Sequence, residues 1–194
     1  MGLRSQPCLC AACLQNPGPL DAMLVAASYE YPWSGLIANY KFGEQPGWAG
    51  FFAYLLLTTP GVRAALETLE THDLIIPVPL SARRLQTRGF NQAWELAAAL
   101  ARRSGTRAKA DAGLLLRVKD TQPQTELKRA ARLANVRGAF QVDPLRISML
   151  QGRRVLLVDD VITSGASLFT AAQALRVAGV MHITGIAIAK TEQH

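Results

Sequence analysis

The sequence VLLVDDVITSGAS, from Val155 to Ser167, places two adjacent carboxylates directly after a run of apolar residues. The run VLLV predicts a buried strand, and the loop after Asp159 and Asp160 carries no bulky polar side chain. Two like charges this close raise each other's pKa unless a cation or a hydrogen-bond donor faces them. The stretch therefore predicts a ligand site at the end of a buried strand.

The residues of this stretch suit two different parts of one ligand. The loop TSGAS, residues 163–167, offers backbone N–H groups, hydroxyls and the start of a helix, all of which favour a phosphate, and Gly165 lets the backbone approach closely. Asp159 and Asp160 cannot bind phosphate, but they can accept hydrogen bonds from hydroxyls or hold hydrated Mg²⁺, which would relieve their repulsion. A phosphate, a diol and a metal converge on a phosphorylated ribose. Because side chains alternate along a strand, both carboxylates reach one ribose only if the chain turns at Asp159 or Asp160.

Other nucleotide-binding patterns fit the sequence less well. The dinucleotide pattern G-x-G-x-x-G and the P-loop pattern G-x-x-x-x-G-K-[ST] are both absent from the chain. A receiver domain takes its acidic pair from the first strand, whereas this pair comes late. An ordinary strand–turn–helix gives no reason for two adjacent carboxylates.

Strands and helices alternate through most of the chain, which predicts an α/β fold with a central, mostly parallel sheet flanked by helices. Ligands of such sheets bind beyond the carboxyl ends of the strands, where Asp159 and Asp160 lie. We expect strands at 22–31, 74–78, 113–118, 138–142, 153–158 and 182–189, and helices at 34–42, 48–58, 62–71, 92–105 and 166–178.

The net charge of +7 is concentrated in one third of the chain. Residues 81–137 contain thirteen Lys and Arg against four Asp and Glu. This excess describes either a solvated, arginine-rich surface or a surface for an anionic partner, such as a phosphorylated small molecule or nucleic acid.

The N-terminal residues 1–20 form a short tail that contains all three cysteines, Cys8, Cys10 and Cys13. Cys10 and Cys13 have the C-x-x-C spacing of half a zinc site, and an odd number of cysteines does not fit a disulfide framework. Residues 21–194 are expected to form the α/β domain. No apolar run approaches the ~20 residues of a membrane span and no signal peptide is recognisable, so we expect a cytoplasmic protein without membrane insertion.

Beyond these patterns, VLLVDDVITSGAS resembles the motif with which type I phosphoribosyltransferases bind 5-phosphoribosyl 1-pyrophosphate (PRPP). The segments IPVPLSARRLQTRGFNQAWELA, 76–97, and TQPQTELKRAARLANVRGAF, 121–140, resemble the ComF family, named for a competence protein of DNA uptake. The resemblance covers nearly the whole chain and implies the type I phosphoribosyltransferase fold. In that family a zinc ribbon with two C-x-x-C pairs usually precedes the transferase domain. Only one pair is present here, so the tail resembles the remnant of a zinc ribbon.

The resemblance also implies a role for individual residues. Asp159 and Asp160 are the implied catalytic pair: they would accept hydrogen bonds from the ribose hydroxyls and hold Mg²⁺ through water. The implied PRPP-binding set is Val158, Asp159, Asp160, Val161, Thr163, Ser164, Gly165, Ala166 and Ser167. The implied pyrophosphate loop is Pro79, Leu80 and Ser81, with Arg83, Arg84 and Arg88 either binding pyrophosphate or forming an exposed basic helix start. The implied flexible loop that closes over the site contains Lys119, Thr121, Gln122, Gln124 and Lys128.

Two functions follow from the resemblance. The first is Mg²⁺-dependent transfer of phosphoribosyl to an unknown acceptor, in connection with DNA uptake in natural competence. The alternative is a protein without catalysis that binds single-stranded DNA or senses PRPP, and that partners other DNA-uptake proteins. Arg129, Arg132 and Arg137 are the candidate nucleic-acid contacts. Six aromatic residues would either stack on an acceptor base or belong to the core: Tyr29, Tyr31, Trp33, Tyr40, Phe42 and Trp48.

Overall fold

The computed structural model describes residues 18–42, 47–106, 108–119 and 138–191. The strands are β1 (Ala22–Ser28), β2 (Leu74–Pro77), β3 (Lys109–Ala110), β4 (Leu115–Arg117), β5 (Phe140–Val142), β6 (Arg154–Ile162) and β7 (His182–Lys190). The α-helices are α1 (Trp33–Phe42), α2 (Trp48–Thr58), α3 (Val62–Glu67), α4 (Ala82–Arg88), α5 (Gln92–Ser104) and α6 (Ala166–Val177). A short 3-10 turn spans Ile147–Met149.

Five of these strands form one parallel sheet in the order β1-β7-β6-β2-β3. Every neighbouring pair in it is parallel, and β6, which carries the two carboxylates, is the central strand. The strands β4 and β5 pair antiparallel as a separate ribbon. The predicted α/β fold with a parallel central sheet flanked by helices is therefore confirmed.

The alternating side chains of the sheet feed two hydrophobic clusters, one on each face. Ile75, Leu156 and Val158 pack on one face with α1, α2, α3 and α5, which we call the helical face. Leu157 and its alternate neighbours pack on the other with α6 and the β4–β5 ribbon, which we call the ribbon face. Both faces of the central strands are thus covered, as the continuous apolar run in β6 requires.

The sequence misplaced several boundaries. Strand β6 does not end at Val158 but continues through both carboxylates to Ile162, because it keeps pairing with β7 after β2 has ended. The helix expected at 62–71 ends at Glu67, and the strand expected at 22–31 ends at Ser28. Helix α4 corresponds to the basic helix start that was one alternative for Arg83, Arg84 and Arg88, whereas strand β3 was not expected. Within the described parts of the chain, no helix has the length and apolar character needed to cross a membrane.

Candidate functional site

The carboxylate pair lies where the regular alternation of β6 is broken. Leu156 and Val158 face the helical face, so strict alternation would turn Val161 to the ribbon face, yet Val161 also packs on the helical face. At the break, each carboxylate folds back onto the chain: the Asp160 N–H donates to Asp159 Oδ1 at 2.9 Å, and the Val161 N–H donates to Asp160 Oδ1 at 2.6 Å. The alternation of side chains is therefore interrupted at Asp159 and Asp160, although β6 keeps its pairing with β7.

A lysine from another element neutralises Asp160. Asp160 is buried, and its Oδ1 lies 3.2 Å from the Nζ atom of Lys41 in the last turn of α1. The lysine side chain is itself largely buried, so the surrounding protein screens this ion pair less than water would screen a pair at the surface. Asp160 and α1 are thereby joined across the helical face.

Asp159 is the strongly perturbed group of the site. Burial and the adjacent charge of Asp160 raise the pKa of Asp159 to about 7, against the opposing influence of the Asp160 N–H, Lys41 and Arg117. A carboxyl group whose pKa is raised toward neutrality by burial and a neighbouring like charge is typical of ligand and catalytic sites. The repulsion from Asp160 that contributes to this raised pKa is the repulsion that the sequence predicted for two adjacent carboxylates.

Arg88 supplies a second cation close to the pair. Burial lowers the pKa of Arg88, whereas the charges of Asp160 and Asp159 act to raise it. The arginine ends α4, the helix that follows the predicted pyrophosphate loop, and Ser81 begins that helix by accepting the Arg84 N–H at 3.4 Å. The guanidinium of Arg88 lies over the ring of Phe42, with Cζ 5.2 Å from the ring centroid.

The buried side chain of Gln92 connects Arg88 to the end of α1. Its Oε1 accepts from Arg88 Nη1 at 3.0 Å, and its Nε2 donates to the Lys41 carbonyl at 3.4 Å. The Tyr40 hydroxyl donates to the Gln92 carbonyl at 2.7 Å. One amide therefore connects the Arg88 guanidinium to the backbone of Lys41, the residue whose ammonium pairs with Asp160.

The loop after β6 is shaped by Gly165. Its φ of 75° lies in the left-handed region, and a Cβ built on it would lie 2.6 Å from Cε2 of Phe169. The Ser164 hydroxyl accepts the Ala166 N–H at 3.4 Å, and the Thr163 carbonyl accepts from the Thr191 hydroxyl at 3.1 Å. The loop is therefore held close to the sheet, and α6 begins directly after it.

The structure brings the predicted PRPP-binding residues and the predicted pyrophosphate loop to the same edge of the sheet. Pro77 and Val158 are register partners on β2 and β6, so the loop with Pro79, Leu80 and Ser81 leaves the sheet beside the carboxylates. Arg88 joins them and Arg84 is half-buried, whereas Arg83 is exposed. Val158, Val161 and Ala166 are buried in the two clusters.

Other predicted residues fall elsewhere. Lys119 is exposed after β4. Tyr40 is fully buried in the core, whereas Phe42 and Tyr31 are exposed. Ten predicted site residues lie outside the described ranges: Cys8, Cys10, Cys13, Thr121, Gln122, Gln124, Lys128, Arg129, Arg132 and Arg137.

Sequence reasoning missed two cations that act on the pair, Lys41 and Arg117. Lys41 is more than a hundred residues away along the chain, and Arg117 belongs to the ribbon. Neither residue belongs to a motif. The position of Lys41 in the last turn of a predicted helix was the one sequence signal that could have suggested a role for it.

We predict that replacing Asp159 with Asn changes the pH dependence of stability. The pKa of Asp159 is raised to about 7 in the folded protein, so between about pH 4 and pH 7 the folded state keeps a proton that the unfolded state has already released. Asp159 therefore lowers stability as the pH rises through that window. Asp159→Asn should therefore gain roughly 2 kcal/mol over the wild type between pH 5 and pH 8. Urea unfolding at both pH values measures this gain. A difference that stays constant with pH would contradict it.

Fold and site together define an α/β protein with a carboxylate pair and a strand–loop–helix turn at the carboxyl edge of a parallel sheet.

No protein-family model matches the chain. Individual proteins do: DNA utilization protein YhgH of Escherichia coli is 34% identical over 166 residues, 86% of this chain and 70% of that protein. Competence protein F of Haemophilus influenzae is 36% identical over 176 residues, 90% of this chain and 75% of that protein. Competence protein ComFC of Bacillus subtilis is 32% identical over 106 residues, 55% of this chain and 39% of that protein. The chain belongs to the ComF family, which confirms the resemblance found in the sequence.

Proposed function

We propose that this protein binds PRPP together with Mg²⁺ at the carboxyl edge of β6, in connection with DNA uptake. The observation that carries the proposal is the carboxylate pair, on which Lys41, Arg88 and Arg117 act from three different elements. A site that combines two carboxylates with three cations suits a ligand that carries both hydroxyls and phosphates. The names of the relatives, for DNA utilization and competence, supply the biological context.

The residues present fit Mg²⁺. The repulsion that raises the pKa of Asp159 is the kind that a divalent cation relieves, and carboxylate oxygens are preferred Mg²⁺ ligands. Asp159 and Asp160 would hold the ion, directly or through water, and accept hydrogen bonds from the ribose hydroxyls. Because Lys41 is bound to Asp160, ion binding would exchange one cation for another at that carboxylate.

The same residues define how the chain would promote transfer of the phosphoribosyl group. In that reaction the bond from C1 of the ribose to the pyrophosphate oxygen breaks, the pyrophosphate leaves with the bonding electrons, and the acceptor bonds to C1. Arg88 and Lys41 would neutralise the leaving pyrophosphate, and Mg²⁺ would supply further positive charge there. The 163–167 loop would hold the 5′-phosphate, so that positioning and electrostatics supply the rate enhancement.

The test is isothermal titration of the protein with PRPP, with and without Mg²⁺, followed by an assay for pyrophosphate release. We expect PRPP to bind in the presence of Mg²⁺. Release upon addition of nucleobases or of single-stranded DNA would establish a transferase and its acceptor class, whereas binding without release would establish PRPP sensing. Failure of the protein to bind PRPP with Mg²⁺ would overturn the proposal.

A second function, binding of single-stranded DNA, is supported by the excess of nine positive charges in residues 81–137 and by the names of the relatives. Counterion release predicts that affinity for an oligothymidine falls steeply with salt concentration. Reversing the charges of Arg129, Arg132 and Arg137 to Glu should weaken binding further. Binding that is absent at low salt, or that survives this reversal, would refute a DNA-binding role of these arginines.

A further inference from the structure

Helix α2 exposes aromatic rings although it has no role in the carboxylate site. Phe52, Ala53 and Leu56 are buried against the rest of the helical face, whereas Phe51 and Tyr54 on the opposite side are 43% and 63% exposed. The ring of Phe51 is fixed by an edge contact with Trp48, with centroids 5.6 Å apart. The two rings lie one turn apart on the exposed side of one helix and form a platform of exposed π-faces.

An arginine from the neighbouring helix lies against the same surface. A Cβ built on Gly50 would lie 3.0 Å from Nη2 and 3.7 Å from Cζ of Arg103, so the guanidinium rests on the backbone of α2 at this glycine. Gly50 and Tyr54 are four residues apart on one helix and therefore share a face. The guanidinium therefore lies on the side of α2 that carries Tyr54, and any larger side chain at position 50 would displace it.

Two arginines lie at the end of the helix that packs beside this platform. The sequence of α2, WAGFFAYLLLT, contains no charged residue, and α5 ends with two exposed arginines, Arg102 and Arg103. Glu67 and Glu70 lie near the same end of α5, where they line a hollow with Ser104 to Thr106. Arg102 and Arg103 belong to residues 81–137, whose excess of nine positive charges favours an anionic partner. Bases stack on aromatic faces while arginine pairs with phosphate, and every base of a single strand can use such a platform.

We propose that Phe51, Tyr54 and Arg103 form a stacking platform for single-stranded nucleic acid. The proposal rests on the DNA binding put forward above and gives it a location among the described residues, separate from the carboxylate site. Successive bases lie on Phe51 and Tyr54, and Arg103 binds the phosphate between them. The bound single-stranded nucleic acid would lie along α2, on the helical face of the molecule.

The experiment is fluorescence anisotropy of a labelled oligothymidine at several salt concentrations. Phe51→Leu and Tyr54→Leu keep apolar volume but remove a ring, so each should weaken binding about tenfold. Tyr54→Phe should retain wild-type affinity. Leu145→Ala, which removes an apolar side chain that is 93% exposed in the turn after β5, is the control and should also retain it. Arg103→Gln should reduce the slope of log affinity against log salt by about one phosphate contact.

The outcomes separate this proposal from the function on which it rests. If the wild type binds the oligonucleotide and both Leu variants bind equally well, the platform is refuted and DNA binding stands. If the wild type does not bind at low salt, both are refuted. Equal loss in Leu145→Ala, or a loss of self-association instead of DNA affinity, also refutes the platform. Thermal unfolding of each variant shows whether it has kept its fold.

Discussion

Replacing both carboxylates, in the variant Asp159→Asn/Asp160→Asn, should abolish measurable PRPP binding. Each carboxylate is expected to accept a charge-assisted hydrogen bond from a ribose hydroxyl, and such bonds contribute about 1.5–3 kcal/mol each. Losing two of them weakens binding by about 100-fold or more, before the loss of Mg²⁺ affinity is considered. Asn keeps the size of Asp, so a packing defect is not introduced. Isothermal titration with PRPP and Mg²⁺ measures the effect.

A matched control for this variant is Glu67→Gln, which makes the same chemical change at an exposed position at the end of α3. It should bind PRPP like the wild type. The variant with both Asn substitutions also leaves Lys41 without its partner, so its melting temperature must be compared with that of the wild type. PRPP affinity that is unchanged in a folded Asp159→Asn/Asp160→Asn protein would show that the carboxylate pair is not the ribose site.

The overall fold was predictable because its determinants are local. The run VLLV alternates between two buried faces, Asn91 caps α5 by accepting the Ala93 N–H at 3.0 Å, and Gly105 ends that helix with a φ of 67°. Each of these signals lies within a few residues of its effect. Strand β6 was one of the exceptions, since its extension to Ile162 depends on pairing with β7, which no local pattern reports.

The candidate site was predictable only where it belongs to one segment. The sequence identified Asp159, Asp160 and the 163–167 loop because they are contiguous, and the need for a turn at the pair followed from strand geometry alone. Lys41 and Arg117 escaped detection because the topology, rather than a motif, brings α1 and the ribbon to this edge. The buried amide of Gln92 is a similar case: its sequence neighbours predict a helix, and only the fold shows that it connects Lys41 to Arg88.

The second large effect is expected from Gly165→Ala. The left-handed backbone would cost alanine about 1–2 kcal/mol. The added Cβ would also lie 2.6 Å from Cε2 of Phe169, which is closer than side-chain carbons approach each other. Phe169 is one turn into α6, so relieving the contact moves either the loop or the start of the helix. We therefore expect the free energy of unfolding to fall by roughly 2–4 kcal/mol and PRPP affinity to fall with it.

Two further variants separate the backbone cost from the steric one. Gly152 has a similar φ of 70°, but a Cβ there would have no heavy atom within 4 Å, so Gly152→Ala should pay the backbone cost alone and bind PRPP normally. Adding Phe169→Leu to Gly165→Ala removes the ring that the Cβ would strike and should restore part of the lost stability, although not the part that comes from φ. Urea unfolding and PRPP titration of the three variants test this order. If Gly165→Ala is no more destabilising than Gly152→Ala, the ring of Phe169 does not confine the loop. Gly165 would then be needed only for its left-handed φ. A loop that accepts a methyl group without loss of stability is not rigid, and is therefore not preorganised to bind a phosphate.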